Sequence, residues 1–251
     1  MTAALAQRIH LPSVASTNSE ARRRLDQGEE LPELTLIDTD DQTAGRGQVG
    51  NKWESEAGQN LSFSLVCHPH WLSAARQFAL SQAIALAVCD ALSALGLGHR
   101  VSVKWPNDIY IDDSKVSGTL IECDLSGKTI SNCIVGTGVN VNQTIFRSDA
   151  PNPISLRQAL GRTFDREALL SDIVSRFSAF YQQLRSEGHQ ALHTLYMSRL
   201  YRRTGLHLYA DAEGTFKASL HAVEPTGHLL LRTDDGTLRR YEFKEVKYLF
   251  Q

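Results

Sequence analysis

Apolar and polar positions recur along this chain with periods that change several times. Over residues 17–27 the period is helical: Thr17-Asn18-Ser19-Glu20 can form a capping box, Ala21 and Leu25 share a face, and Gly28 marks the stop. Residues 35–39 and 61–67 predict strands, the second alternating Leu61, Phe63 and Leu65 with Ser62 and Ser64. An alanine-rich helix is predicted from about residue 73 to 95, stopped by Gly96 and Gly98. The period then falls to two, predicting strands over 101–104, 109–111, 116–123 and 129–136, with Asp112-Asp113 and Ser126-Gly127 as turns. Pro151-Asn152-Pro153 interrupts this pattern. Asp165 then caps a helix running to about residue 187, with Leu169, Ile173, Phe177 and Phe180 on one face, and a further helix covers 191–200. Beyond Gly205 short strands and turns alternate over about fifty residues, as in a small β-barrel or sandwich. The expected fold class is α+β: a mixed, mostly antiparallel sheet with packed helices over 1–200, then a small β domain over 201–251.

Composition narrows the functional classes. The 251 residues are 42% hydrophobic and 22% charged, an ordinary globular balance. With 26 basic and 28 acidic residues the formal charge is -2, so no general nucleic-acid footprint exists and any anion site must be local. Cys67, Cys89, Cys123 and Cys133 form no C-x-x-C pair, which points to buried thiols in a reducing compartment. The N-terminus lacks the basic-then-apolar design of a signal peptide. The apolar segment 78–97 contains Ser81, Gln82, Asp90 and Ser93, which suits a core helix better than a membrane span. A cytoplasmic protein without a membrane partner is expected.

The segment "TAGRGQVGNKW", residues 43–53, contains the letters G-x-G-x-x-G. A dinucleotide-binding turn requires a helix directly after the motif, and an acidic residue roughly twenty positions on. Here a polar stretch without helical periodicity leads into a strand, so that reading fails. Close glycines still permit an anion-binding nest, to which Arg46 and Lys52 add charge and Trp53 a stacking face. The competing reading is a solvent-exposed turn with a core tryptophan.

Two further segments carry candidate chemistry. In "VKWPNDIYIDDSKVSGTLIE", Pro106 disfavours helix at Trp105 and presents Lys104, Asn107 and Asp108 at a bend between strands. Asn107 could read an adenine edge or a ribose, and Asp108 could take Mg²⁺ directly or through water. Lys115 could bridge a substrate carboxylate and a phosphate as charge redistributes. An Asn-Asp turn plus an exposed hairpin lysine is the competing structural reading. In "GTGVNVN", residues 136–142, Gly136 and Gly138 would let a ligand approach the backbone and Asn140 could bond a nucleotide.

Taken in order, Ser16-Thr17-Asn18, Gln42-Thr43-Ala44-Gly45-Arg46-Gly47, Lys52-Trp53, Lys104-Trp105-Pro106-Asn107-Asp108, Lys115 and Gly136-Thr137-Gly138-Val139-Asn140 strongly resemble the biotin protein ligases. The resemblance spans almost the whole chain. It implies a class II synthetase-like catalytic domain followed by an SH3-like barrel. The implied activity is ATP-dependent conversion of biotin to biotinyl-5′-AMP and pyrophosphate, then transfer to a lysine of a biotin carboxyl carrier protein, by a monomer or homodimer. ATP and biotin are then substrates, with Mg²⁺ and Asp108 as its candidate ligand.

Residue by residue, the resemblance gives Ser16, Thr17, Asn18 and Gln42 to biotin, with Gly118 and Gly136 lining its pocket. Gly45, Arg46 and Gly47 belong to a loop closing over biotin and the adenylate. Trp53 matches an adenine-stacking position, with Gln48, Lys52, Asn107 and Asn140 as further nucleotide contacts. Lys115 matches the lysine that binds the reacting carboxyl and α-phosphate oxygens, and together with Arg46 it is the catalytic candidate. The commonest family form, G-R-G-R-x-G-R-x-W, has arginines where this chain has Gln48 and Asn51. About fifteen residues precede Ser16, too few for the helix-turn-helix domain some family members carry, so DNA is not an expected partner.

Two rival functions remain to be weighed: a lipoate ligase, which shares the general fold but usually carries an arginine-glycine motif not found here, and a sensor module that binds without chemistry. Lys115 and Asp108 argue against the latter. His189 and His193 stand four apart, but HQALH lacks the glutamate of a zinc-protease motif and reads as a solvated face. The Arg22-Arg23-Arg24 run likewise reads as a solvated helix face.

Overall fold

The computed structural model describes residues 6–48, 51–148 and 150–250. Its large sheet has seven strands: β1 (Arg8–Val14), β2 (Thr35–Gln42), β3 (Leu61–Cys67), β4 (Val101–Lys104), β5 (Asp108–Ile111), β6 (Ser114–Ser126) and β7 (Thr129–Val139). Their spatial order is β1-β2-β3-β7-β6-β5-β4. Only β1 and β2 pair in parallel, so the sheet is mixed and mostly antiparallel, as the periodicity predicts. Parallel neighbours need a crossover, and α1 (Thr17–Asp26) supplies it. This crossover brings the start of α1 to the ends of both strands, with Val14 opposite Gln42.

The two faces of the sheet are covered differently. Ala21 of α1 packs with Ile37, Val66 and Ile134 on one face. On the other, α2 (Phe78–Leu92), α4 (Arg166–Glu187) and α5 (His189–Ser198) build the main core around Phe63, Leu65, Ile84, Phe177 and Tyr196. The stretch Ala74–Arg100 is apolar and long enough to cross a membrane, but 72% of its most apolar window is buried inside the protein. Five further strands, β8 (His207–Asp211), β9 (Gly214–Val223), β10 (Leu229–Thr233), β11 (Leu238–Tyr241) and β12 (Lys247–Tyr248), form a second antiparallel sheet in the order β11-β10-β9-β8-β12.

Several local expectations change. Ser16, not Thr17, is the N-cap of α1, and Glu20 bonds Arg23 and Arg24 instead of closing a capping box. The arginine run is therefore a set of ion pairs, completed by Arg22–Asp124 and Arg24–Glu29. β1 was not predicted because Pro12 cuts its Arg8-Ile9-His10-Leu11 alternation off after four residues, an interruption that an edge strand tolerates. The short helix α3 (Leu156–Leu160) has its own capping box between Ser155 and Gln158. His189 and His193 are half-buried, bonded to Arg76 and Gln82 at 2.9 and 2.8 Å rather than facing solvent.

Candidate functional site

The site's floor is the sheet face that α1 covers. Gly118 and Gly138 are cross-strand partners, as are Leu120 and Gly136, and Gly136 also pairs with Ser64. The missing side chains of Gly136 and Gly138 were expected to admit a ligand; the protein's own side chains take that space. A Cβ on Gly136 would stand 1.9 Å from Asn18 Oδ1, and one on Gly138 2.3 Å from Trp53 Cε2. The Trp53 indole reaches across the glycine pair, its Cζ3 3.2 Å from a Cβ placed on Gly118.

The N-terminal turn of α1 forms one wall. Gln42 Oε1 accepts from Thr17 N at 3.1 Å and lies 3.4 Å from Thr17 Oγ1. Ser64 Oγ lies 2.8 Å from Thr17 Oγ1 and 2.7 Å from Asn18 Oδ1; the latter can only accept, so the Ser64 proton goes there. Asn18 Nδ2 donates to Leu120 O at 3.2 Å and Glu122 Oε2 at 2.7 Å. Asn18 thus lines the cavity with both amide protons engaged, as a strut between helix and sheet. Ser16 Oγ accepts only a long 3.5 Å bond from Ser19 N and keeps its proton for another partner.

The described residues on the two sides of the glycine loop pair with each other. Arg46 and Lys52 form an antiparallel bridge, Gly47 N donates to Asn51 O at 3.0 Å, and Trp53 N donates to Gly45 O at 2.9 Å. The loop leads through extended and turn segments to β3, so no helix follows it. Val49 and Gly50, the end of the G-x-G-x-x-G letters, lie outside the described residues.

At the far end, Lys115 on β6 places Nζ 2.7 Å from Asp108 Oδ2 and 5.9 Å from the Trp53 ring centroid. The β4–β5 turn directs Asp108 here as expected, with Lys104 and Asp108 directly opposed. Lys104 itself turns elsewhere. Its Nζ sits 5.2 Å from the Tyr110 ring and 5.1 Å from the Tyr248 ring, and burial lowers its pKa. Trp105 Nε1 donates to Gly227 O at 2.8 Å and its ring packs on Phe243, which ties the C-terminal strands to this turn.

These elements enclose a cavity of about 110 Å³. It brings together Ser16, Thr17, Asn18, Gln42, Gly118 and Gly136 with Arg46, Gly47, Gln48, Lys52, Trp53, Asp108 and Lys115. Gly45, Asn107 and Asn140 do not line it. Gly45 packs against Trp53 and Gln42, and Asn140 Nδ2 donates to Ile154 O at 3.1 Å. Both asparagines are buried, and Asn107 Oδ1, Asn140 Oδ1 and the indole Nε1 of Trp53 have no hydrogen-bond partner. Sequence reasoning placed Asn51 and Thr137 in its motifs without giving them a role, and missed Thr119, Leu120 and Phe243 on the cavity wall and Glu122 behind Arg46. Glu122 had one weak signal, a carboxylate directly after the apolar pair Leu120-Ile121; Phe243 had none.

The charge lining the cavity is unbalanced. Arg46, Lys52 and Lys115 face a single carboxylate, Asp108, in a chain whose overall charge is negative. Such a recess selects an anionic ligand.

Comparison with known proteins agrees. The sequence model of the biotin/lipoate A/B protein ligase family matches residues 11–140. The chain is 32% identical over 235 residues to the biotin--[acetyl-CoA-carboxylase] ligase of Paracoccus denitrificans, covering 88% of this chain and 92% of that one. It is 30% identical over 239 residues to the bifunctional ligase/repressor BirA of Bacillus spizizenii, covering 93% of this chain and 71% of the relative. Among solved structures, the biotin protein ligase from Aquifex aeolicus in complex with biotin and ATP superposes with a TM-score of 0.79 at 26% identity, covering 97% of this chain and 100% of that one. The chain belongs to the biotin/lipoate A/B protein ligase family and, within it, to the biotin protein ligases.

Proposed function

We propose that this chain activates biotin with ATP, forming biotinyl-5′-AMP and pyrophosphate, and then transfers the biotinyl group to a lysine amine of a biotin carboxyl carrier protein. The observation that carries this reading is the excess of cations, Lys115 foremost, in a cavity that also holds the polar turn of α1. In the first step a biotin carboxylate oxygen attacks the α-phosphorus, the bond to the β-phosphate's bridging oxygen breaks, and pyrophosphate leaves. Lys115 stabilises the charge gathering on the carboxyl and α-phosphoryl oxygens, and Asp108 holds its ammonium in place at 2.7 Å. In the second step the carrier amine attacks the acyl carbon, the bond to AMP breaks, and the amine loses a proton.

On the biotin side, the ureido carbonyl needs donors and its N–H groups need acceptors. Gln42, whose oxygen is taken by Thr17, has its amide protons to give, and the Ser16 hydroxyl can serve either way. On the nucleotide side, Trp53 supplies a stacking face, Gln48 and Lys52 phosphate contacts, and Asn107 and Asn140 polar contacts. The orphaned indole nitrogen of Trp53, which lines the cavity, supports this assignment, since a buried polar atom without a partner costs roughly 1–3 kcal/mol and a ligand can recover it; Asn107 and Asn140 lie behind the wall and are assigned on the family resemblance.

Among the described residues no cluster of three or more His, Cys, Asp or Glu could hold a metal by itself. One carboxylate at the cavity, Asp108, fits Mg²⁺ that takes its other oxygens from ATP phosphates and water, and such an ion would help neutralise the triphosphate. We assign residues 1–200 to the catalytic domain and 201–251 to an accessory β domain that reaches the site through Phe243. The setting is cytoplasmic, where ATP and carrier are available.

Incubation with Mg-ATP, biotin and a biotin-carrier domain, with lipoate in a parallel reaction, tests the assignment. Labelling of the carrier lysine by biotin is expected; labelling by lipoate alone overturns the substrate.

A further inference from the structure

The site contains a carboxylate that neither the family motifs nor the reaction chemistry accounts for. Leu120, Glu122 and Asp124 project from alternate positions of β6 towards α1, where Asn18 and Arg22 stand one turn apart. Two strand residues span about 6.6 Å. Four helical residues rise about 6 Å. The two repeats match, so Glu122 meets Asn18 at 2.7 Å while Asp124 meets Arg22 at 2.6 Å. Glu122 makes one more contact: Arg46 Nη2 from the glycine loop lies 3.0 Å from its Oε2 and 3.2 Å from its Oε1.

The contact leaves Arg46 able to work. Among the described residues only Nη2 is engaged, so Nε and Nη1 keep their protons for a ligand of the cavity that Arg46 lines. Glu122 in turn fixes the Asn18 amide, whose oxygen receives the Ser64 proton beside Thr17 and Gln42. One carboxylate therefore ties the loop to the turn of α1 that forms the opposite wall.

We propose that Glu122 is a positioning residue for adenylation: it latches Arg46, and through it the glycine loop, to the N-terminal turn of α1. The proposal rests on the biotin-adenylating reading for its kinetic consequence, but the latch itself exists without substrate. Both side chains are partly exposed, 45% for Arg46 and 30% for Glu122, so the pair is worth several-fold in a rate rather than orders of magnitude.

Glu122→Gln isolates the latch, because the glutamine oxygen can still accept from Asn18 while the charge facing Arg46 is lost. In substrate-free protein, trypsin cleavage after Lys52 should rise about three- to five-fold over wild type. With biotin and ATP, release of the adenylate should quicken by a similar factor, while the melting temperature stays near that of wild type. Asp124→Asn, which removes the neighbouring carboxylate outside the cavity, should change neither rate.

Combining Glu122→Gln with Arg46→Ala should give the Arg46→Ala phenotype alone, because among the described residues of the loop Arg46 is the partner of Glu122. Multiplicative effects in the double variant, or unchanged cleavage in Glu122→Gln, overturn the latch. If wild type makes no biotin-dependent pyrophosphate, the enzymatic reading fails, and the substrate-free cleavage still decides whether the latch exists.

Discussion

Two recesses of this molecule are lined by charged side chains, and they differ in how those charges are matched. The second cavity lies where β1 and β2 meet the start of α4, around Arg8, His10, Asp38, Asp40, Arg166 and Glu167. Arg8 forks onto Asp38 with two 2.8 Å bonds and also bonds Glu167. His10 bridges Asp38 at 2.8 Å and Asp40 at 3.3 Å, and Arg166 bonds Asp40 at 2.9 Å. With His10 protonated, three positive groups meet three carboxylates; among the described residues lining this recess the Ser62 hydroxyl is the buried side-chain group without a partner. Around the glycine loop, three cations line the wall against one carboxylate. Even counting Glu122 behind the wall, the positive charge is in excess. A matched cluster fastens elements together; an unmatched one leaves work for an anionic ligand.

The largest effect expected from this contrast is at Lys115. Lys115→Ala should lower the rate of biotinyl-adenylate formation by roughly two orders of magnitude, because it removes the cation beside the developing phosphate charge. The melting temperature should hardly move. A variant of near-native rate removes Lys115 from the mechanism. Asp38→Ala should do the reverse, costing about 2 kcal/mol of stability with adenylation rates in the folded protein unchanged. Asp38 is buried, and its loss strands Arg8 and His10, but both of those side chains keep solvent, which moderates the cost. If Asp38→Ala weakens biotin binding in folded protein, the two recesses are not separate in function.

What the sequence revealed of these two recesses differs for physical reasons. Spacing and turn chemistry marked Lys115, Trp53 and the glycine loop only as candidates beside a structural reading, and the resemblance to the biotin protein ligases gave them their expected roles. The strands around them were legible because Leu61, Phe63 and Leu65 alternate with serines. Glu122 was not, because its partners Arg46 and Asn18 lie 76 and 104 positions away, and only the β3-β7-β6 order brings them near. The roles of Gly136 and Gly138 were half right: the need for a bare backbone was visible, but not that Asn18 and Trp53 would fill it. The second recess was wholly hidden, since Pro12 shortens the alternation of β1 to four residues and the partners of Arg8 and His10 come from β2 and α4.

A smaller effect sharpens the electrostatic side of the comparison. Gln48 lines the cavity without charge, where the commonest family form carries arginine. Gln48→Arg adds a fourth cation and should slow dissociation of the adenylate by roughly five-fold, the worth of about one charge-assisted hydrogen bond at an exposed loop. An unchanged dissociation rate would show that Arg46 and Lys52 already saturate the phosphate.

The smallest expected effect is the pH signature of the matched recess. The hydrogen bond to Asp38 raises the His10 pKa above its ordinary 6.5, with the carboxylates of Asp38 and Asp40 adding to the rise and Arg8 opposing it. Burial pushes the Asp38 carboxyl up, but bonds from Arg8 and His10 outweigh it and hold the pKa below 3.8. His10 therefore contributes fully below about pH 6.5, and its share is lost as pH rises through the elevated folded value. Asp38 contributes above about pH 3.8, and its share is lost as pH falls through the depressed one. The cluster is strongest between these limits. His10→Gln should lower stability by under about 1 kcal/mol at pH 5 and by nothing measurable at pH 9, since His10 is half-exposed. Thermal unfolding of the two proteins across that range measures the difference, and a gap that widens with rising pH would mean that neutral His10, rather than its charge, holds β1 to β2.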